Sequence, residues 1–129
     1  MNLFTVQLPN QPGELARLCE ALAADGVNLE LGGVTTGERG TIVFAASDEP
    51  AASSALDAAG IPFDTRPAVL VRCPDQPGEG ARFARQLANA NVNIEALLEI
   101  SISEGQVVLA CLVDKIDEAR SALGDQIVD

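Results

Sequence analysis

Histidine, tryptophan and tyrosine are absent from this 129-residue chain, and four phenylalanines are its only aromatics. Without imidazole, neither a Ser-His-Asp nor a Cys-His catalytic centre can be built, and no His-ligated metal site exists. So few aromatics leave little on which nucleic-acid bases could stack. Basic residues are also scarce: 8 Lys and Arg stand against 19 Asp and Glu, a net charge of −11. Such a surface repels phosphate backbones and anionic lipid alike, so neither nucleic acid nor membrane is expected as a partner. The cysteines, Cys19, Cys73 and Cys111, are odd in number and form no CxxC motif. They are expected to be small core residues in a reducing compartment. No apolar run approaches the roughly 20 residues of a membrane span. Residues 1–5 lack the basic and apolar regions of a signal peptide. A cytoplasmic location is expected, with no metal and no cofactor.

What is present is apolar and repetitive. With 47% hydrophobic and 21% charged residues, the chain can bury a core. Its length suits one ordinary domain or two very small ones. Asn10-Gln11-Pro12-Gly13-Glu14 recurs as Asp75-Gln76-Pro77-Gly78-Glu79, and Val27-Asn28-Leu29-Glu30 as Val92-Asn93-Ile94-Glu95. Gly40 and Gly105, each before an apolar run, share the same offset of 65. Over residues 10–30, 11 of 21 positions are identical to their partners in 75–95. This implies a tandem duplication with a junction near Arg66-Pro67, giving domains 1–66 and 67–129. Repeats this small bury only about 60% of the surface of their unfolded chains. A shared interface, and with it a ligand crevice, is the expected remedy.

Residues 3–8 alternate apolar and polar and read as a half-buried strand, stopped by turn chemistry at 9–13. A helix over 13–24 follows, with Leu15, Leu18, Cys19 and Leu22 in one stripe. Asp25-Gly26 closes it. Residues 27–31 and 92–102 alternate as second strands, and 37–40 and 103–105 read as hairpin turns. Third strands at 41–46 and 106–113 are nearly all apolar and are expected to be buried on both faces. Second helices are expected at 50–59 and 115–123, with Pro50 in a first turn. Residues 61–65 suit a fourth strand. In the second repeat that strand is either 126–129 or missing. Each repeat is thus βαββαβ, an α+β ferredoxin-like arrangement.

The recurring Asn/Asp-x-Pro-Gly turn, short helix and Val-Asn at this spacing resemble the ACT domain, and the match covers nearly the whole chain as two copies. ACT domains are small-molecule sensors, most often of amino acids, that regulate enzymes of amino-acid metabolism. The resemblance implies two repeats side by side, an eight-stranded antiparallel sheet with four helices on one face, and ligands near the turn before each first helix. It implies a non-catalytic regulatory protein whose partner is a small molecule, an amino acid. The remaining alternative is a regulatory subunit docked on a separate biosynthetic enzyme, with ligand binding secondary or lost. A homodimer fits the family habit and the short last strand.

The expected ligand-binding residues are Asn10, Gln11, Pro12, Gly13, Glu14, Leu15, Asn28 and Leu29, with Asp75, Gln76, Pro77, Gly78, Glu79, Gly80, Asn93 and Ile94. Backbone N–H groups at each helix start suit a carboxylate. Asn10 offers both donors and an acceptor; Asp75 only accepts and favours an ammonium. Pairing of second strands would cross the sites, Asn10 with Asn93 and Asp75 with Asn28. Alternatively, Asn10 and Asp75 are helix caps or turn residues, and Asn28 and Asn93 simply start strands. Gly32-Gly33 is either a bulge or room for a ligand. The offset aligns it with Leu97-Leu98 and predicts unequal sites. Some amino-acid-binding relatives carry a polar side chain two residues before the Asn; here Leu8 and Cys73 stand there, which argues for a less polar site. Acylphosphatase-type catalysis is disfavoured because neither turn has a basic residue. With both repeats accounted for, no room is left for a catalytic domain.

Overall fold

The computed structural model describes residues 1–128 and divides into two compact units, Asn2–Arg66 and the chain from Pro67 onward together with Met1. The N-terminal unit contains β1 (Asn2–Pro9), α1 (Glu14–Ala24), β2 (Leu29–Thr36), β3 (Arg39–Ala46), α2 (Glu49–Ala58) and β4 (Asp64–Pro67). The C-terminal unit contains β5 (Val69–Pro74), α3 (Glu79–Asn89), β6 (Ile94–Ser103), β7 (Gln106–Val113) and α4 (Ile116–Leu123). A 3-10 turn at Gly124–Gln126 follows α4.

The fold is α+β and ferredoxin-like, in two antiparallel sheets. Their strand orders are β2-β3-β1-β4 and β5-β7-β6. The expected single eight-stranded sheet is therefore corrected to one of four strands and one of three. Strands β2 and β6, whose pairing would have joined the sheets, each end their own sheet. The missing eighth strand has a local cause. After α4 the chain makes its 3-10 turn and meets β5 only through an isolated Val71–Ile127 bridge, with Val128 N–H donating to the Leu70 carbonyl at 3.0 Å. Position 129 of the expected fourth strand lies outside the described residues.

In the N-terminal unit, β1 turns Phe4, Val6 and Leu8 toward the helices, where they are buried with Leu18, Leu22, Phe44, Ala52 and Leu56. Phe4 stacks on Phe44 at 4.9 Å between ring centroids. The C-terminal core is Val69, Val71, Phe83, Leu87, Cys111, Ala119 and Leu123, with a single aromatic ring. Cys73 and Cys111 are buried and Cys19 half-buried, all as free thiols. Burial pushes the Cys111 pKa up to about 11. Burial, reinforced by the Glu79 carboxylate, also raises that of Cys73. Helix α2 is capped by the Asp48 side chain, which accepts from Ala51 N–H at 2.9 Å, and Pro50 lies in its first turn. The fourth strand begins at Asp64 rather than 61, because Ile61 is drawn into the core.

The hairpins reveal a slip. Between Leu29–Ala46 and Thr36–Arg39 the β2–β3 register is unbroken. Strand β6 is two residues longer than β2 and absorbs the excess in register shifts between Ile94 and Ala96 and between Glu99 and Ser101. The offset of 65 thus fails beyond the start of β6. Gly33 faces Ile42, while the equivalent pair in the C-terminal unit is Glu99 and Leu109. Gly32 likewise corresponds to Leu98, not Leu97. The match of Gly40 with Gly105 is also overturned. Gly40 is a buried strand residue opposite Leu8, and its counterpart opposite Cys73 is Val107. Gly105 lies in the turn, with φ 74°.

Candidate functional site

The turn before α1 is strapped to the β2–β3 hairpin. Asn10 N–H donates to the Glu38 carbonyl at 2.8 Å, and its Nδ2 donates to the Gly37 carbonyl at 3.0 Å. Asn10 is therefore a turn lock and not the helix cap. That position belongs to Gly13, at φ 88°, a left-handed conformation suited to glycine. Among the described residues no side chain caps α1, so its first-turn N–H groups have no side-chain partner there. Glu14 stands in that turn, where a carboxylate complements the helix dipole, and pairs with Arg17 at 3.5 Å.

Beside this turn lies a hollow of about 370 Å³, lined by Leu8, Pro9, Asn10, Gln11, Glu14, Leu15, Leu31, Gly33, Val34, Thr35, Gly40 and Ile42. Four of the expected residues, Asn10, Gln11, Glu14 and Leu15, come together there. Pro12 and Gly13 shape the turn without lining the hollow. Leu29 packs against the core. Asn28 is exposed at the far end of β2, its N–H donating to Ser47 Oγ at 2.9 Å. It is separated from Asn10 along the strand by about 25 Å. Leu15, read as the start of the buried stripe, is instead 46% exposed at the hollow's rim, because α1 meets its core only from Leu18 onward.

Two glycines make the hollow. A Cβ at Gly33 would come within 2.5 Å of Ile42 Cδ1, and one at Gly40 within 3.3 Å of Thr35 Cγ2. Ile42 thus lies across the bare backbone of Gly33 and forms the floor. The unbroken register excludes the bulge reading of Gly32-Gly33. Sequence reasoning missed Leu31, Val34, Thr35, Gly40 and Ile42. Their signal was faint: apolar residues on a glycine-interrupted strand that ends its sheet. A larger hollow, of about 480 Å³, lies on the opposite face of this sheet around Thr5, Gln7 and Arg39 and contains none of the expected residues.

The C-terminal unit repeats the turn with altered chemistry. Asp75 N–H donates to the Gly105 carbonyl at 2.8 Å, but a carboxylate cannot supply the second strap that Asn10 makes. Gly78 sits at the cap with φ 93°, and Glu79 pairs with Arg82 at 2.8 Å. Gln76 and Pro77 are exposed in the turn, and Gly80 is exposed in the first turn of α3. Asn93 immediately precedes β6, its N–H donating to Asp114 Oδ1 at 2.8 Å, and Ile94 packs on the core. By register, Glu99, Ile102 and Val107 occupy the places of Gly33, Thr35 and Gly40. Among the described residues no cluster of His, Cys, Asp or Glu could hold a metal ion, and no helix is long and apolar enough to cross a membrane.

No family model and no curated protein matches the chain. Solved structures do. A protein of Bacteroides thetaiotaomicron superposes with a TM-score of 0.86 at 21% identity, over 98% of this chain and 90% of its own. The ligand-free regulatory subunit of aspartate kinase from Thermus thermophilus gives 0.69 at 22% identity, over 95% and 86%. That from Thermus flavus gives 0.67 at 22%, over 95% and 86%. At these identities the likeness establishes the fold alone: the chain is built like the regulatory subunits of aspartate kinase.

Proposed function

We propose that this chain is a tandem ACT protein, a non-catalytic regulator of amino-acid metabolism that binds an amino acid at the N-terminal hollow. One observation carries the reading. The turn that resembles the ACT motif is the turn that walls the hollow, bringing Asn10, Gln11, Glu14 and Leu15 beside the bare strand at Gly33. The size is that of a small-metabolite site, at the low end of the 300–1,000 Å³ typical of ligand pockets. Polar groups converge on one side of it. Asn10 Oδ1 accepts no hydrogen bond among the described residues and is available to an ammonium. The first-turn N–H groups of α1 suit a carboxylate.

A thermal-shift screen of the twenty amino acids tests this. A ligand at 100 times its dissociation constant adds about 2.7 kcal/mol, several degrees for a chain of this size. At least one amino acid is expected to raise the melting temperature, and Asn10→Ala is expected to reduce the gain. If none does, the sensor reading fails.

The likeness to separately folded regulatory subunits of aspartate kinase supports a second reading, in which the chain docks on a catalytic partner. Recovery of one biosynthetic enzyme in a pull-down, without stabilisation by any amino acid, would favour it.

A further inference from the structure

We infer that the N-terminal hollow selects an uncharged aliphatic side chain and that the C-terminal unit does not share this specificity. The inference rests on the amino-acid-binding reading above and names the class of ligand. Two of the large exposed hydrophobic residues, Leu15 and Leu31, are 46% and 40% exposed, and both face this one depression. Val34 borders it, but its side chain, in register with Thr41 and Gln7, points to the opposite face of the sheet. Leu8 and Ile42 complete an aliphatic wall and floor. Scattered single apolar side chains on a surface mean little; several converging on one concavity mark a place where apolar surface is to be covered. The only charged residue in the lining is Glu14, already paired with Arg17. A cationic side chain would find no unpaired carboxylate there. An anionic one would meet Glu14 and no cation.

The hairpin register identifies the determinant. Ile42 can lie over position 33 only because Gly33 has no side chain. Glu99 takes that position in the C-terminal unit and Gly80 that of Leu15, while Leu97 takes that of Leu31 and Ile102 that of Thr35. The strand side of the rim stays apolar, but its helix side is lost and an acid stands where the bare strand was. One aliphatic ligand per chain follows.

Isothermal titration of the full chain with L-leucine, L-isoleucine and L-valine, against L-lysine, L-aspartate and L-threonine, tests the inference. The branched aliphatic amino acids are expected to bind at least tenfold more tightly than the others, at one per chain. Gly33→Glu, which copies the other unit, is expected to weaken leucine at least tenfold. Because that variant crowds Ile42, Leu15→Ser is the companion that leaves the core untouched: its side chain is 46% exposed at the rim, and a several-fold loss of leucine affinity is expected. Tighter binding of a charged or hydroxylated amino acid, unaffected by Leu15→Ser, would overturn the specificity and leave the sensor reading intact. Binding of none would sink both. Were Leu15→Ser instead to convert a dimer to a monomer in sedimentation, with leucine affinity unchanged, the rim would be a contact between copies and the inference wrong.

Discussion

The two units share an element order and a turn sequence, yet they solve packing differently. The N-terminal unit closes its sheet with a fourth strand and centres its core on stacked Phe4 and Phe44. In the C-terminal unit the positions equivalent by register are Val69 and Cys111, and the sheet has three strands. Its last described segment is held by the Val71–Ile127 bridge and by side chains. Arg82 donates to Glu79 at 2.8 Å and to Gln126 at 3.1 Å. Gln126 donates to Gln86 at 3.0 Å, and Gln86 to the Ala122 carbonyl at 2.7 Å. Similar turn sequences therefore do not ensure similar sites. Helix starts are set locally by Pro-Gly, whereas the hollow depends on which residue stands opposite which across a hairpin.

The comparison can be broken most severely at the aromatic stack. Phe44→Ala removes a fully buried ring and is expected to cost about 3–5 kcal/mol in urea unfolding. The equivalent Cys111→Ala removes roughly one heavy atom and should cost about 1 kcal/mol. Equal costs would mean that the two cores are not organised as described. Next is the polar tie. Gln126→Ala is expected to cost about 1 kcal/mol and to raise amide exchange at Val128, with no effect on β4 of the other unit.

The thiols sharpen the contrast without a mutation. Cys19, the least buried, should react first with an alkylating reagent at pH 8, followed by Cys73 and last Cys111 as judged by mass spectrometry. Burial holds the folded Cys111 thiol at about 11, above the ordinary thiol range. The unfolded chain therefore loses this proton first, and stability should fall as pH rises from about 9 to 11. A Cys111→Ala variant should lack that component. The smallest effect lies at the N-terminal strand. Asn2 donates to Glu49 from its side chain at 2.9 Å and its backbone at 2.8 Å, which together lower the Glu49 pKa. That stabilisation is present above the unfolded carboxylate pKa and is lost as pH falls through the lowered value. Because Glu49 is largely solvated, Glu49→Gln should cost only about 0.5 kcal/mol at neutral pH.

Much of the fold was legible because its signals are local. Pro12-Gly13 and Pro77-Gly78 mark the starts of α1 and α3 to within a residue, and Gly26 closes α1 at φ 72°. The bulges of β6 were hidden because Val92 through Ile102 alternates with only Leu97 out of pattern, and alternation does not report a residue added on one side of a ladder. The offset of 65 therefore carried Gly33 to the wrong partner. The division into two sheets was illegible for a related reason: pairing between strands distant in sequence leaves no periodic mark. At the hollow, the turn residues that line it are ones the motif marks. The floor and rim, Leu31, Gly40 and Ile42, are ordinary strand residues whose meaning appears only in register.

The central claim is that one unit keeps an open aliphatic hollow and the other has replaced it. An amide-resolved NMR titration of the full chain with L-leucine tests this most directly. The account predicts saturable shifts at Leu15, Gly33 and Thr35, with Gly80, Glu99 and Ile102 unmoved. Shifts confined to the C-terminal set, or equal in both, would contradict it.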